Sequence, residues 1–335
     1  MYFSIKNQIL IETIMSNQKK LFLIIVLLLI SGLFLFTFIG KNKPVNLAYI
    51  TNQGENTVSV IDLNKLKIQK KISVGKSPLG ISIIKNKAIA VVGNIDSQSL
   101  SIIDLKKNQV QKTVALKTAP LGMVVHPSED KILITSWYEN KVIILSTKDF
   151  TITHKINVGI TPSGIAFNKK YSYIIVANRD ANTVEVYDDK NYRLLKKISV
   201  GKHPYGISSK GDFIFTANVY DDSISIININ NWNQKNIKVG LNPYSIISHN
   251  KKAYVTNAQG DSISVIDLLS FKEIKKIKTG ETPENMSIDL INKRLIVANW
   301  GGDSLSIIDL VNEKPITEIK SGLQSRAFGQ FIYTN

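Results

Sequence analysis

The feature that most constrains this chain is an internal repeat of about 40 residues that occurs seven times. The segment TVSVID ends at Asp62, and similar segments recur at intervals of 39–42 residues along the chain. The last residues of the seven copies are Asp62, Asp104, Ser146, Asp188, Asn228, Asp267 and Asp309. A repeat of this length that holds several short strands is typical of a propeller blade rather than of a helical solenoid. We therefore predict an all-β chain that folds as a seven-bladed β-propeller.

Each unit divides into four strands, as residues 78–116 illustrate. The strands there are PLGISII, KAIAVVGN, SLSIIDL and QVQKTVAL. Val and Ile alternate with Ser in strand three, which suits a pleated sheet between two neighbouring blades. Asn ends strand two and Asp ends strand three, so we expect their side chains to cap the following turns. A proline opens strand one in six units, where a strand that edges the channel tolerates it: Pro78, Pro120, Pro162, Pro204, Pro243 and Pro283.

The two ends of the repeat region predict how the ring closes. The region begins with a strand two, residues 48–52, and ends with a lone strand one, residues 326–332. Strand one from the end and strands two to four from the beginning would make one shared blade. Such a blade removes the open edges that would otherwise expose unpaired backbone. The propeller is therefore expected over residues 47–332.

The repeat motif also carries a family resemblance. YITNQGENTVSVID, YVTNAQGDSISVID and VGKSPLGI resemble the YVTN-type propeller repeat, over residues 47–332. The resemblance implies an extracytoplasmic seven-bladed propeller of the kind found in surface-layer and periplasmic proteins. Some relatives are reported to bind DNA, and the fold resembles haem d1 and lactonase propellers. The third unit departs from the pattern with TSWYENKVIILS, which weakens its turn caps.

An apolar segment precedes the repeat region. Residues 21–39 read LFLIIVLLLISGLFLFTFI, without a charge. A spanning helix needs about 20 residues, whereas the core of a cleavable signal is shorter and ends in small residues. We predict a signal anchor at residues 21–39, after a cytoplasmic segment 1–20 and before a short tether 40–46. Met15 is an alternative start. The propeller is then expected on the extracytoplasmic side of a single-pass membrane protein, in the periplasm or at the cell surface.

One end of the predicted channel gathers aromatic and charged residues. The loops that join strand four to strand one and strand two to strand three share a face, here named the upper face. The candidate ligand-binding residues on it are Trp137, Tyr138, Arg179, His203, Tyr205, Tyr220, Tyr244, Glu284, Trp300 and Arg326. Aromatic, arginine and carboxylate side chains in a concave mouth are typical of a binding site. The alternative is that Tyr and Trp plug the mouth while Arg326 pairs with Glu284.

The opposite face, here named the lower face, is predicted to be basic. The chain has 42 Lys and Arg against 26 Asp and Glu, a net charge of +16. The lysines of the lower loops contrast with the acidic residues of the upper loops. Because the first strand would start at the lower face, a short tether would draw this face toward anionic headgroups. The membrane-facing candidates are Lys85, Lys87, Lys169, Lys170, Lys251, Lys252, Lys293 and Arg294.

Catalytic chemistry is not indicated. The chain has no cysteine, its four histidines fall on separate parts of the predicted blades, and no nucleophile elbow, phosphate loop or zinc-protease motif occurs. We expect no metal, no cofactor and no enzymatic activity. The preferred hypothesis is a monomeric binding or scaffold propeller for a protein, a peptide or a cell-envelope ligand. The alternatives are a lactonase-like hydrolase that uses Glu284, Arg326, Arg179 and His203, and a nucleic-acid-binding propeller. The last is disfavoured because aromatics and lysines are predicted on opposite faces.

Overall fold

The computed structural model describes residues 44–335, together with Met15, Phe22 and residues 24–27. Residues 46–335 form one compact unit, and residues 1–45 belong to another. The predicted cytoplasmic segment, signal anchor and tether lie largely outside the described residues. Within the predicted anchor, Phe22 and residues 24–27 are described and are helical. Among the residues that the structure describes, no helix combines the length and the apolar character that a membrane span requires.

Seven small sheets make up the unit 46–335, which confirms the predicted all-β, seven-bladed propeller. Blade 1 holds β1 (Asn46–Asn52), β2 (Thr57–Asp62) and β3 (Lys67–Ser73), and blade 2 holds β4 (Pro78–Ile84), β5 (Ile89–Asn94), β6 (Ser99–Asp104) and β7 (Gln109–Ala115). Blade 3 holds β8 (Pro120–Val125), β9 (Lys131–Ser136), β10 (Lys141–Ser146) and β11 (Ile152–Asn157), and blade 4 holds β12 (Pro162–Asn168), β13 (Tyr173–Asn178), β14 (Thr183–Asp188) and β15 (Leu194–Ser199).

The remaining blades repeat this plan. Blade 5 holds β16 (Pro204–Lys210), β17 (Phe213–Asn218), β18 (Ser223–Asn228) and β19 (Gln234–Lys238), and blade 6 holds β20 (Pro243–His249), β21 (Lys252–Asn257), β22 (Ser262–Asp267) and β23 (Lys272–Lys278). Blade 7 holds β24 (Pro283–Asp289), β25 (Arg294–Asn299), β26 (Ser304–Asp309) and β27 (Lys314–Lys320), and the last strands are β28 (Phe328–Gln330) and β29 (Ile332–Thr334). Short 3-10 turns occupy Gln53–Glu55, Lys85–Lys87 and Val219–Asp221.

The hydrophobic core lies between blades rather than within them. Ile84 and Leu100 of blade 2 pack in one cluster with Ile132, Ile134 and Ile143 of blade 3, and all five are fully buried. Similar clusters join other neighbouring blades. Because side chains alternate across a strand, each blade presents one apolar row to each neighbour. The outermost strands are largely exposed, and six of the seven innermost strands begin at the predicted prolines.

The same residues recur in the repeats because they form a buried hydrogen-bond motif. In blade 6 the Asn257 amide donates to the hydroxyls of Ser262 and Ser264 at 3.1 and 3.0 Å, while its carbonyl oxygen accepts from Gly240 N at 3.1 Å. A Cβ on Gly240 would lie 2.5 Å from the side chain of Asn257, so only glycine fits. The expectation that the strand-two asparagines cap turns is therefore wrong, because they tie strand two to strand three. The strand-three aspartates do cap turns: Asp62 accepts two backbone N–H bonds.

The two ends of the unit meet in blade 1, where β29 pairs with β1 and completes a four-stranded sheet. The expected single closing strand at residues 326–332 is, however, divided. Ser325 bridges Asn52, β28 turns away to pair in parallel with β4 of blade 2, and β29 then returns to β1. The cause is a difference in length, because Ser325 to Ile332 faces the shorter stretch from Asn52 to Ala48. The additional residues have no partner on β1 and bulge toward the next blade.

Candidate functional site

The upper mouth of the channel is closed by a packed cluster. Leu79, Leu121, Tyr205 and Phe328 are buried together there, and Trp137 packs against them. The rings of Tyr205 and Tyr244 lie 4.2 Å apart between centroids, and those of Tyr205 and Trp137 lie 6.3 Å apart. Burial raises the pKa of Tyr205 to about 12 and holds that of Tyr244 well above its usual value. Several predicted ligand-binding residues thus form the floor of the mouth.

Glu284 and Arg326 form a buried pair beside this floor. Arg326 Nε lies 3.1 Å from Glu284 Oε2, and the guanidinium stands 5.4 Å from the ring of Trp300. This is the pairing that the sequence offered as the alternative to an open site. Burial raises the pKa of Glu284 to about 7, although the Arg326 guanidinium opposes the rise. The indole N–H of Trp300 is buried without a hydrogen-bond partner among the described residues.

A second set of polar side chains lies at the mouth, on blades 4 and 5. The Arg179 guanidinium stands 5.8 Å from the ring of Trp137, and the imidazole of His203 stacks on Tyr220 at 4.1 Å. Burial and then the positive charge of Arg179 lower the pKa of His203, while Asp180 opposes them. The backbone N–H of His203 donates to Asn182 Oδ1 at 2.9 Å, and the residue has a φ of 54°, as a turn requires.

Above the floor, the upper rim exposes one large apolar side chain on each of four consecutive blades. Tyr138 on blade 3 is 75% exposed, Ile160 at the entry to blade 4 is 56% exposed, Tyr220 on blade 5 is 57% exposed and Leu241 at the entry to blade 6 is 54% exposed. We name these four residues the apolar arc. The sequence prediction found the two tyrosines and missed the two aliphatic residues. Both aliphatic residues follow the glycine of the strand-four turn, as the 52% exposed Leu323 does at the closure. The equivalent residues are charged in blades 2, 5 and 7, and blade 3 has Thr118 there.

The lower face holds two cavities along the channel. The larger, about 640 Å³, lies between the inner loops of blades 2 to 5, and Lys85, Lys169 and Lys170 of the predicted basic set line it. The smaller, about 220 Å³, continues inward, since Val124, Phe167, Ser209 and Gln330 line both cavities. Both of these cavities thus open away from the aromatic mouth.

The lower face carries two rings of loops. Basic residues outnumber acidic ones in the inner loops, which join strands one and two, and also in the outer loops, which join strands three and four. The aspartates that end strand three stand at the start of the outer loops and offset part of their positive charge. A membrane-facing role for the basic residues stays a prediction. The inner basic residues are Lys85, Lys87, Lys131, Lys169, Lys170, Lys210, Lys251, Lys252, Lys293 and Arg294.

Several of the inner basic groups already have partners. Lys170 pairs with Asp212, Lys252 pairs with Glu313 at 2.6 Å, and Lys87 donates to Thr147. Arg294 donates to the backbone oxygen of Leu63 at 3.0 Å. Within the described residues, Lys169, Lys210, Lys251 and Lys293 have no carboxylate within ion-pair distance.

One histidine of the lower face is held by polar neighbours that the sequence did not indicate. His126 Nδ1 lies 2.5 Å from Ser128 Oγ, and Nε2 lies 3.1 Å from Asp189 Oδ2. The Ser128 hydroxyl also bonds Asp130, and the Ser128 N–H points to His126 Nδ1, so the serine closes a turn. Lys131 pairs with the other oxygen of Asp189 at 2.8 Å. The arrangement fixes the imidazole at the cavity wall. Elsewhere too, the described residues bring no three metal-ligating side chains together.

Comparisons with known proteins agree with the fold. A model of YNCE-like β-propellers matches residues 39–182. A functionally unknown protein from Desulfotomaculum acetoxidans has 18% identity and a TM-score of 0.73, over 86% of this chain and 98% of its own. Hydrazine synthase of Kuenenia stuttgartiensis has 14% identity and a TM-score of 0.70, over 78% and 91%. Dihydro-heme d1 dehydrogenase has 14% identity and a TM-score of 0.65, over 82% and 64%. No curated protein sequence matches.

These similarities show a propeller fold and support a propeller family. The identities are too low to bring the activity of any of these proteins to this chain. The YVTN designation stays a prediction from the repeat motif.

Proposed function

We propose that this seven-bladed β-propeller is a binding module that docks a protein or peptide partner on its upper face. The apolar arc is the observation that carries the proposal. Tyr138, Ile160, Tyr220 and Leu241 expose more than half of their surface on adjoining blades. Exposed aromatic and aliphatic side chains that stand together on one face mark interaction sites more often than scattered ones do.

The shape of the upper face favours a macromolecular partner over a small molecule. Small ligands are usually held in clefts that enclose most of their surface. Here Tyr205 and Phe328 fill the place where such a cleft would open, and the apolar arc stands around them as a rim. The packed rings beneath Tyr138 keep its side chain on a rigid base, which lowers the ordering cost of docking. The predicted residues Trp137, Tyr205, Tyr244 and Trp300 then support the docking surface from below.

The predicted anchor and compartment complete the proposal. We keep residues 21–39 as a membrane anchor, with the propeller on the extracytoplasmic side and its lower face toward the bilayer. The propeller begins at Asn46, whose side chain donates at 2.8 Å to Oδ1 of Asp289, the last residue of β24 in blade 7. From there a tether of residues 40–46 would reach roughly 20 Å. The exposed Leu290 and Ile291 follow directly after Asp289, so apolar surface adjoins the point of chain entry.

A hydrolase is the second candidate, and the buried Glu284 is the observation that favours it. A carboxyl whose pKa is raised to about 7 can serve as a proton donor near neutral pH. Against it, Arg326 occupies one face of the carboxyl, and His203 faces Tyr220 rather than Glu284. The binding proposal therefore has the better support. Nucleic-acid binding is weaker still, because the exposed aromatics of the arc stand apart from the inner lysines of the lower face.

The test is affinity capture from membranes of the source organism with matched variants of the propeller. The upper variant carries Tyr138→Ser and Tyr220→Ser. The control variant carries Leu269→Ser and Val311→Ser, two lower-face residues that are each 69% exposed. We expect the wild type and the control to retain the same partner and the upper variant to lose most of it, since hot-spot residues each contribute about 2 kcal/mol. Equal recovery by the upper variant and the wild type would reject the proposal.

A further inference from the structure

We propose that the 640 Å³ cavity of the lower face is a binding site for a small amphipathic anion, one with carboxylate, phosphate or similar charges on an apolar body. The site is separate from the apolar arc and lies at the other end of the channel. It does not depend on the upper-face proposal, and either can fail without the other.

The size and position of the cavity suit a small ligand. A volume of about 640 Å³ falls within the range of small-molecule sites in proteins. The cavity is built by the inner loops of four successive blades together with the closing segment, from which Gln330 and Ile332 contribute. These loops are short and are fixed by the sheets on either side, so the walls are formed before any ligand arrives.

The charges around the cavity select for an anion. Lys85, Lys169, Lys170 and Lys210 approach it from blades 2, 4 and 5, whereas Glu129 is the one carboxylate in its lining. Glu129 is engaged, because its Oε2 accepts from Asn86 N at 2.8 Å. The ammonium groups of Lys169 and Lys210 have no hydrogen-bond or ion-pair partner within the described residues. Two ammonium groups without counter-charges on neighbouring blades create a positive potential at the opening.

A neighbouring histidine responds to this potential. Burial and then the charge of Lys210 lower the pKa of His249 in blade 6. The titratable groups that line the wall on the other side are His126, fixed by Asp189, and Lys170, paired with Asp212. Lys169 and Lys210 are therefore the cations that remain for a ligand.

The walls supply apolar contact and a polar end. The ring of Phe167 meets the imidazole of His126 edge-on at 4.7 Å, and Val124, Val125 and Ile332 extend the apolar wall. Deeper in the channel, the smaller cavity is lined by Ser208, whose hydroxyl is buried without a partner. A buried hydroxyl of this kind is free to bond a water molecule or a polar group of a ligand. The combination fits a molecule with a flat apolar body, an anionic group at the rim and a polar group inside.

The test uses two dyes of the same shape and opposite charge. Fluorescein is a dianion with a flat xanthene ring system, and rhodamine 123 has the same ring skeleton with a positive charge. Binding of each is followed by fluorescence anisotropy with the full chain in phosphatidylcholine nanodiscs. We expect fluorescein to bind more tightly than rhodamine 123 and its affinity to fall with added salt.

Matched variants locate the site. Lys169→Gln with Lys210→Gln should weaken fluorescein binding by about tenfold or more, because two unpaired cations are lost. Lys106→Gln with Lys107→Gln, two exposed lysines of an outer loop, should leave it unchanged. Phe167→Ala should weaken both dyes, since it removes the shared apolar contact. All five side chains are at least partly exposed, and thermal unfolding is to be measured to check that each variant is folded.

Two further arms identify the source of the anion. Displacement of fluorescein by inorganic pyrophosphate would support a free solute, and loss of binding only in nanodiscs with phosphatidylglycerol would support a lipid headgroup. Both outcomes support an anion site. Equal affinity for the two dyes, no fluorescein binding at about millimolar concentration, or equal effects of the site and control variants would overturn the proposal.

Discussion

At the scale of single residues, the buried pair of Glu284 and Arg326 makes the stability of the fold depend on pH. The pKa of Glu284 is about 7 in the fold and has its ordinary value of 4.5 in the unfolded chain. Between these values the folded protein binds more protons than the unfolded one, so this group adds stability at low pH that is lost as the pH rises through 7.

We therefore expect the wild type to lose up to about 3 kcal/mol of unfolding free energy relative to Glu284→Gln between pH 5 and pH 8. The measurement is urea unfolding of both proteins across this range. A constant difference between them would show that Glu284 is ionised throughout. Arg326 is left unpaired in the variant. This changes the difference in unfolding free energy between the two proteins by an amount that does not depend on pH in this range.

The repeat asparagines give a second prediction. Asn257→Ala removes two hydrogen bonds to Ser262 and Ser264 and the nearer of the two side-chain acceptors of Gly240 N, which keeps Ser264 Oγ at 3.3 Å. Because these groups are buried, we expect a loss of about 2–3 kcal/mol in unfolding free energy. Asn250→Ala, in an exposed turn of the same blade, serves as the control. Its position has a φ of 53°, so a smaller loss is expected there from the backbone alone. A smaller loss of unfolding free energy in Asn257→Ala than in Asn250→Ala would contradict the hydrogen-bonding role assigned to Asn257.

The residue scale also shows what the sequence could predict. The comparison of equivalent loop positions predicted that Trp137, Tyr205 and Tyr244 share the upper mouth, because the repeat fixes where each position lies in its blade. It could not decide between an open site and a plug, since that depends on whether the side chains point across the channel and meet. Ile160 and Leu241 were missed because aliphatic loop residues carry no chemical signal, although the same positional comparison would have revealed them.

At the scale of elements, the closing segment is the least regular part of the propeller. Tyr49 N donates to Phe331 O at 2.9 Å. This bond lies between the pairing of β29 with β1 and the bridge of Ser325 to Asn52. The sequence predicted one closing strand at residues 326–332, whereas the strand that pairs with β1 is Ile332–Thr334. It could not predict the division into β28 and β29, since the pairing register depends on which neighbour the extra residues can reach.

Deletion of residues 331–335 should test the contribution of this segment. The deletion removes the fully buried Phe331 and the whole of β29, so β1 becomes an unpaired inner strand. We expect a broad, lower-temperature thermal transition or aggregation. Deletion of Asn335 alone, which leaves Phe331 and β29 in place, should change the melting curve much less. A truncated protein that melts like the wild type would show that β29 does not close the ring.

At the scale of the whole molecule, the lower face should associate with anionic membranes. Lys169, Lys251 and Lys293 belong to the inner ring and have no carboxylate partner among the described residues. Each lysine near an anionic surface contributes about 1 kcal/mol. We expect residues 44–335, a fragment that includes all seven sheets, to float with phosphatidylserine vesicles at low salt and not with neutral ones.

The matched variants separate location from net charge. Changing Lys169, Lys251 and Lys293 to Glu should abolish flotation. Changing Lys70, Lys155 and Lys278 to Glu alters the net charge equally, but these residues lie on outer strands. That variant should still float, although less strongly. Equal loss of flotation in both variants would show that binding depends on the total charge. It would reject a membrane-facing lower face.

The central claim is that the upper face docks a partner, and site-specific photo-crosslinking in living cells tests it most directly. A photoreactive phenylalanine analogue is placed at Tyr138 or Tyr220 on the apolar arc, and at Leu269 or Val311 on the lower face as controls. The account predicts that both upper positions give the same discrete crosslinked species on illumination and that the lower positions do not. Crosslinks to one partner from the lower positions, with none from Tyr138 and Tyr220, would contradict it.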